Sequence, residues 1–343
     1  MSKKTYGCFM ALLVLALVVS LGLNVGLFFG RMELGVGIES GLSTARPKKR
    51  MSEVTVESPK AATRDKIVHI DLDGIISSVE MSGLFSDAMP SMSSIKHALE
   101  QAVEDKNVKA VVLRINSPGG EVTASDILYN AVKKAAKEKP VVVYMDSMAA
   151  SGGYYIACGA SKIVASETTL TASIGVIIET MNYSDLFGKV GLSMNTFTSG
   201  AFKDSLSGAR PMRDDEKAYV QNLVTQMYDR FLGIVSEARG VPKETLKNGV
   251  ADGRVVTGRE ALEAKLVDQI GYVEDAYALA RELGKAADAG VVKYRHEVNF
   301  FEALSMGSAR AAAEPKVKLE LGGGVLPKLQ PGVPYYLPPS YAH

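Results

Sequence analysis

Short apolar runs alternate with amphipathic segments from residue 66 to residue 283, and this alternation constrains the fold more than any other feature of the sequence. Runs such as 110–116 and 140–145 predict buried strands, as do 66–72, 163–165 and 173–178. Helical spacing and small-residue runs predict helices over 94–107, 122–137, 149–160, 213–238, 255–266 and 273–283. Strands that alternate with helices at this rhythm indicate an α/β domain with a largely parallel sheet.

The N-terminal segment 8–30 is almost wholly apolar and carries no charge. About twenty helical residues cross a bilayer core, so the segment is long enough for a transmembrane anchor. A cleaved signal peptide has a shorter apolar core and a small-residue cleavage site, which this segment does not offer. Basic residues lie before it, at 3 and 4, and after it, at 31 and 46–50, so the charges alone leave its orientation open.

These patterns divide the chain into five parts. Residues 1–7 precede the expected anchor 8–30, and 31–64 form a linker rich in Gly, Ser, Pro and charge. The α/β domain is expected over 65–290, in a single copy because the sequence shows no internal repeat. Residues 291–343 form a C-terminal extension whose Gly- and Pro-rich end is expected to be partly disordered.

Charge and composition narrow the classes of function. A formal net charge of +1 gives no electrostatic reason to expect a nucleic-acid partner. The two cysteines, Cys8 and Cys158, cannot form a disulfide framework, and Cys158 is interpreted as a buried thiol. The sequence contains no Cys/His ligand cluster and no phosphate-binding loop, so we expect neither a metal nor a cofactor.

Histidine is absent from the whole of 98–295, since the four histidines lie at 69, 97, 296 and 343. A serine nucleophile needs a base to accept its hydroxyl proton. The base that we expect for a serine in this stretch is therefore a lysine.

Ser151 is the candidate nucleophile. It follows a predicted strand and two alanines and precedes two glycines, which places it near the start of a helix. Free backbone amides there favour an alkoxide, and small neighbours let a substrate backbone approach. Small residues at a close helix–sheet contact would give the same pattern.

Gly119 and Gly120 end another buried strand, in the segment Asn-Ser-Pro-Gly-Gly at 116–120. Two glycines at this point can turn backbone amides into a pocket for the oxyanion of acyl transfer. A plain strand-to-helix turn with glycine at positive φ is the alternative.

Lys203 is the candidate base, in a segment (199–205) without clear regular structure. Most lysines are solvated surface charges, and one serves as a base only where desolvation favours its neutral form. The neighbouring Asp204 would oppose this if it pointed inward, so we expect it to point away. Ser173 supplies a second hydroxyl that would orient the lysine.

Several of these segments occur together in a recognisable order. They are RINSPGG at 114–120, MAASGGYYIA at 148–157, SIGV at 173–176 and SGAFKD at 199–204, followed by ADGRVVTGREA at 251–261 and LVDQIG at 266–271. Over residues 66–285 the chain resembles the signal peptide peptidase A family, peptidase family S49, in its short single-domain form. It departs from the usual family pattern at Ala172, where glycine is common.

The resemblance assigns roles to the candidate residues. It implies that Ser151 is the nucleophile, that Lys203 is the general base and that Ser173 positions the lysine. The oxyanion contact would come from backbone amides of the Gly119–Gly120 turn, with Gly152 assisting.

The resemblance also implies a fold, a location and a substrate class. The fold would be the crotonase/Clp-like α/β superfold, in homo-oligomeric rings or domes whose sites are completed across protomers. The protein would be single-pass in the inner (plasma) membrane, with its catalytic domain on the extracytoplasmic (periplasmic) side. Its substrates would be remnant signal peptides and other apolar peptides.

Three other functions stay open. A Clp-type Ser-His-Asp peptidase would require His69 or His97 to reach Ser151. A crotonase-type acyl-CoA enzyme would use the glycine amides without a serine nucleophile. A membrane scaffold would keep the fold without the chemistry.

Overall fold

The structure is a computed structural model that describes residues 20, 50–78, 91–295 and 334–336. The chain divides into two units, Met1–Lys49 and Arg50–His343. The sheets and the helices that pack on them belong to the second unit. Apart from Ser20, the predicted anchor 8–30 lies outside the described residues. Among the residues that are described, no helix has the length and apolar character needed to cross a bilayer.

The described strands form one large sheet and one small one. They are β1 (Ser52–Glu57), β2 (Lys66–Asp73), β3 (Val108–Ser117), β4 (Gly120–Glu121), β5 (Val141–Ala150), β6 (Lys162–Ala165), β7 (Leu170–Ala172), β8 (Val255–Thr257), β9 (Gln269–Ile270), β10 (Gly290–Arg295) and β11 (Tyr335–Tyr336). The large sheet has the order β1-β10-β2-β3-β5-β6-β9, with β7 beside the end of β5 and β8 on β7. Its pairs are parallel except β1 with β10 and β7 with β8. The small sheet pairs β4 with β11 antiparallel.

The described helices pack around this sheet. They are α1 (Met92–Glu104), α2 (Val122–Glu138), α3 (Gly152–Ala157), α4 (Ser184–Lys189), α5 (Asp214–Arg239), α6 (Lys243–Lys247), α7 (Gly258–Glu263) and α8 (Val273–Leu283). Local sequence sets several of their ends. Ser91 caps α1 through its hydroxyl, Thr257 and Glu260 form a capping box at α7, and Gly240 ends α5 in the left-handed conformation.

The central strands are apolar without interruption because both faces of the sheet are covered. Successive side chains of a strand point to opposite faces. In β3, Val111 and Leu113 join the larger core with α1, α2, α3 and α5, whereas Ala110 and Val112 pack in the smaller core with α8. This is the pattern of a parallel sheet between helices, and it confirms the predicted α/β fold.

The sheet extends beyond the predicted domain boundaries at both ends. β1 lies within the range 31–64 that was predicted as a linker, and β10 continues past residue 290. β1 is an edge strand whose Val54 and Val56 are both exposed, so it lacks the buried apolar face that identifies a strand in sequence. β1 is a strand because its main chain pairs with β10.

Three predicted elements begin or end differently in the structure. The predicted strand 173–178 is not regular, because Ala172 and Ser173 both adopt positive φ and strand β7 ends at Ala172. The predicted helix 149–160 starts only at Gly152, since Ala149 and Ala150 still belong to β5. The predicted helix 255–266 begins as β8, which pairs with β7.

Candidate active site

Ser151 lies at a sharp turn between β5 and α3. Its φ of 52° and ψ of −112° match the first central position of a type II′ turn, which glycine usually occupies. A non-glycine residue held there stores backbone strain, and such strain clusters at functional sites. The N–H of Ser151 donates to the carbonyl of Ala172 at 2.7 Å, so β7 holds the turn in place.

The hydroxyl of Ser151 is buried and accepts or donates no hydrogen bond within the described residues. A buried polar group without a partner costs free energy, and it persists in a native structure only for a reason such as catalysis. The side chain is therefore placed as an unengaged nucleophile would be.

The three glycines predicted to form the oxyanion pocket come together beside Ser151. Gly119 has a φ of +113°, and a Cβ at this position would lie 2.7 Å from the amide nitrogen of Gly152. A Cβ on Gly152 would lie 3.2 Å from the Cα of Gly119 and 3.1 Å from the amide nitrogen of Gly120. Side chains at these positions would close the space, so the close approach requires glycine.

The backbone N–H groups of these three glycines differ in whether they already have a hydrogen-bond acceptor. The N–H of Gly119 donates to the hydroxyl of Ser117 at 3.1 Å, and Gly120 belongs to β4, which pairs with β11. Gly152 is the first residue of α3, so its N–H has no acceptor within the helix. Of the three, the Gly152 amide is the best placed to donate to an oxyanion.

Ser173 lies next to the turn that holds Ser151. It follows Ala172, the acceptor of the Ser151 amide, and its own N–H donates to the carbonyl of Arg254 at 2.9 Å. Ala172 and Ser173 have φ values of 63° and 50°. A glycine would adopt the conformation of Ala172 without strain, which explains why glycine suits this position.

Lys203 is exposed, whereas the groups of this cluster are buried. Its N–H closes a turn to the carbonyl of Gly200 at 3.1 Å, and its side chain makes no hydrogen bond or ion pair with any described residue. Because the hydroxyl of Ser151 also has no partner there, the two predicted catalytic side chains are not hydrogen-bonded within one chain.

The turn that carries Lys203 is tied to the start of α5 by two arginines. Arg210 bonds both Asp204, at 2.8 Å, and the buried Glu216, at 2.5 Å. Arg213 donates to the carbonyl of Ala201 at 2.9 Å. The guanidinium of Arg210 lowers the pKa of Glu216 to about 2 and holds the pKa of Asp204 below its usual value. These contacts fix the position of Lys203 while leaving its side chain open to solvent.

The histidine alternative finds no support at His69. One ring nitrogen of His69 lies 2.8 Å from Asp71 and the other 2.7 Å from the hydroxyl of Tyr277, so both are engaged. Neither His69 nor His97 is a hydrogen-bond partner of Ser151, whose hydroxyl has none among the described residues.

Two features of the site were not predicted from sequence. Ser125 on α2 has a buried hydroxyl without a described partner, 2.5 Å from the position that a Gly152 Cβ would occupy. The strand β11 lies against Gly119 and Gly120. Ser125 falls on the buried face of a helix and β11 falls in a Pro-rich tail, and neither context carries a signal for a site.

A serine at a strained strand-to-helix turn, facing a cluster of glycine amides in an α/β fold, is the arrangement of a serine peptidase. The model of peptidase family S49 matches residues 133–287, and the Clp protease model matches residues 90–173. A protein of Enterococcus faecium named as a signal peptide peptidase, SppA, is 38% identical over 259 residues, 75% of each chain. The chain belongs to peptidase family S49, a family of serine endopeptidases, and its α/β fold is Clp-like.

Longer relatives match as well. The chloroplastic serine protease SPPA of Arabidopsis thaliana is 34% identical over 73% of this chain and 37% of its own length. Protease 4 of Haemophilus influenzae is 32% identical over 74% of this chain and 43% of its own length. Among solved structures, a ClpP1 mutant from Listeria monocytogenes matches with a TM-score of 0.41 and 17% identity, over 61% of this chain and 93% of that chain.

Proposed function

We propose that this serine endopeptidase works through a Ser-Lys dyad and degrades remnant signal peptides and other apolar peptides at a membrane. Ser151 attacks the peptide carbonyl after Lys203 takes its proton, and the lysinium then protonates the leaving amine. The amide of Gly152 donates to the oxyanion, and water releases the acyl group with the same lysine as base. The observation that carries the proposal is the buried, unpartnered hydroxyl of Ser151 beside the glycine turn.

The dyad is proposed to form between two copies of the chain. Both candidate side chains lack a described partner, and Lys203 is exposed on a rigidly tethered turn. The stretch before it exposes large apolar side chains, which is typical of surfaces that pack against another molecule; these are Met181, Leu186, Val190, Leu192, Met194 and Phe197. When a neighbouring copy packs against this surface, Lys203 would enter the active site of that neighbour and lie beside its Ser173. Repeating this contact would build a ring or dome.

The membrane part of the proposal rests on the sequence. Segment 8–30 is apolar and long enough to span a bilayer. Its orientation as a single-pass anchor in the inner membrane, with residues 1–7 cytoplasmic, is proposed from the resemblance to the peptidase family. The catalytic domain would then lie on the extracytoplasmic side, where leftover signal peptides are released. Protease protection of the full chain in inverted and right-side-out vesicles tests this orientation.

The test of the dyad uses three substitutions and an apolar fluorogenic peptide. Ser151→Ala and Lys203→Ala each abolish turnover, and Lys203→Arg does so too because a guanidinium stays charged. Lys134→Ala, at an exposed lysine on α2, serves as the matched control and keeps wild-type activity. Near-normal turnover in Lys203→Ala would eliminate lysine as the base.

Mixing the two inactive proteins tests the arrangement between copies. If each site takes Ser151 from one copy and Lys203 from its neighbour, random co-assembly of Ser151→Ala with Lys203→Ala restores about a quarter of wild-type activity. No recovery in verified mixed assemblies would place both residues of the dyad in one chain.

A further inference from the structure

The main chain of Ile76 runs along the glycine turn of the candidate active site. The N–H of Ile76 donates to the carbonyl of Gly119 at 2.8 Å, and the carbonyl of Ile76 accepts from the N–H of Glu121 at 2.8 Å. A Cβ placed on Gly120 would overlap the carbonyl oxygen of Ile76. The turn is therefore in direct contact with this second segment of main chain, which follows β2.

The carboxylate of Glu121 holds the residues that follow Ile76. Its Oε1 accepts from the hydroxyl of Ser77 at 2.7 Å, and its Oε2 accepts from the N–H and the hydroxyl of Ser78 at 3.0 and 2.5 Å. Glu121 occupies the N-cap position of α2, where a side chain usually bonds the first amides of its own helix. The Glu121 side chain makes no such bond. Its hydrogen-bonding capacity is directed to the neighbouring segment instead.

The carboxyl group of Glu121 is held in its ionised form. Partial burial by itself would raise the pKa of this group, but the hydrogen bonds from Ser78 and Ser77 outweigh burial and hold the pKa below its usual value. Hydrogen bonds to an ionised acceptor are roughly twice as strong as those between neutral groups. The segment Ile76–Ser78 is therefore fastened to the glycine turn more firmly than by main-chain bonds alone.

The hydrogen bond from Ile76 sets the direction of the peptide that joins Gly119 to Gly120. In a planar trans peptide the carbonyl and the following N–H point in opposite directions. Because the carbonyl of Gly119 is turned toward Ile76, the N–H of Gly120 points away from Ile76. The nitrogen of Gly120 lies close to Gly152, since a Cβ on Gly152 would be 3.1 Å from it. Glycine on both sides leaves this peptide free to rotate unless its carbonyl is held.

We propose that Glu121 is a positioning residue for the peptidase reaction: by fastening Ile76–Ser78 to the glycine turn, it keeps the N–H of Gly120 directed at the oxyanion, as a second donor beside the amide that follows Ser151. The inference rests on the proposed function, in which Ser151 attacks the peptide carbonyl. Without the carboxylate, the peptide would rotate in a fraction of the molecules and present the carbonyl of Gly119 to the oxyanion. Two negative oxygens repel each other, so those molecules would turn over slowly.

Steady-state kinetics of the full chain tests this role. Glu121→Ala removes the bonds to both serines and lowers kcat roughly 10- to 100-fold, while KM stays within about twofold, because the misdirected donor is missed only in the transition state. Glu121→Gln keeps one oxygen acceptor and has neutral, weaker hydrogen bonds, so its kcat lies between those of wild type and Glu121→Ala. Glu263→Ala, at an exposed glutamate on α7, is the matched control and has wild-type kinetics.

A peptide boronate tests whether the effect acts on the oxyanion. Boron adds to a nucleophilic serine and forms a tetrahedral adduct with an oxygen at the oxyanion position, whereas the same peptide ending in a carboxamide binds as the ground state. In Glu121→Ala the Ki of the boronate rises by the factor by which kcat/KM falls, and the Kd of the carboxamide stays at the wild-type value. Equal weakening of both ligands, together with a lower melting temperature, would assign Glu121 a merely structural role and overturn the inference.

The same measurements separate this inference from the proposed function. Boronate binding that Ser151→Ala abolishes, with the same Ki and kcat in wild type and Glu121→Ala, overturns the positioning role and leaves the peptidase assignment intact. Boronate binding that depends on Ser151 and weakens selectively in Glu121→Ala supports both. Absence of turnover and of Ser151-dependent boronate binding in the wild-type chain would refute the proposed function and, with it, the role of Glu121.

Discussion

Replacing Ser151, the proposed nucleophile, is expected to stabilise the protein while it abolishes activity. In Ser151→Ala the buried hydroxyl that lacks a described partner is removed, which relieves a desolvation cost of roughly 1–3 kcal/mol. Alanine keeps the strain of a φ of 52°. In Ser151→Gly that strain is relieved as well, by roughly 1–3 kcal/mol. Glycine loses about 0.5–1 kcal/mol of this gain through the greater freedom of the unfolded chain.

The assay is thermal and denaturant unfolding of wild type, Ser151→Ala and Ser151→Gly at one protein concentration. A gain of 1 kcal/mol raises the melting temperature by about 2–4 °C in a domain of this size. We therefore expect the order wild type, Ala, Gly from least to most stable, with no peptidase activity in either variant. Ser125→Ala removes a second buried hydroxyl without a described partner, at a residue with no positive φ. It therefore measures the gain from removing a desolvated hydroxyl without any change in backbone strain.

Two results would refute this reasoning. A Ser151→Ala protein less stable than wild type would mean that the hydroxyl has a hydrogen-bond partner in the native protein, such as Lys203 of a neighbouring copy, and that burying it carries no uncompensated desolvation cost. A Ser151→Gly protein no more stable than Ser151→Ala would mean that the strand-to-helix turn stores no strain.

Two further predictions concern the glycine turn and the turn that carries Lys203. Gly119→Ala would place a Cβ against the carbonyl of Tyr336, at a residue whose φ is +113°. We therefore expect kcat/KM to fall roughly 10²–10³-fold, as when an oxyanion donor is displaced. A kcat/KM value within a few-fold of wild type would contradict this expectation. The pKa of Glu216 is lowered in the folded state, from 4.5 to about 2, by the Arg210 guanidinium, so its contribution to stability is complete above about pH 4.5 and is lost as the pH falls toward 2. The difference in melting temperature between wild type and Glu216→Gln should therefore shrink over that interval, and a difference that grows on acidification would contradict the assignment.

The fold class and the strand-to-helix turn at Ser151 were predictable because their signals are local. Uninterrupted apolar strands such as Val111–Leu113 report burial on both faces, and that pattern requires helices on both sides of a parallel sheet. The turn at Ser151 is encoded within six residues, by a strand that ends in alanines and a helix that begins with glycines. The boundaries were less predictable, because β1 and β10 are held by pairing with distant strands rather than by their own burial pattern.

By itself, the sequence determined which residue types are available for the chemistry: a serine, a lysine and paired glycines, in a stretch without histidine. Only the tertiary structure decided which of them meet. Gly119 and Gly152 are brought together because β3 and β5 are neighbours in the sheet, and Tyr336 reaches the same turn from the far end of the chain. Lys203 is not hydrogen-bonded to Ser151 of the same chain. These relations depend on strand order and on main-chain pairing between distant segments, which no local pattern of side chains encodes.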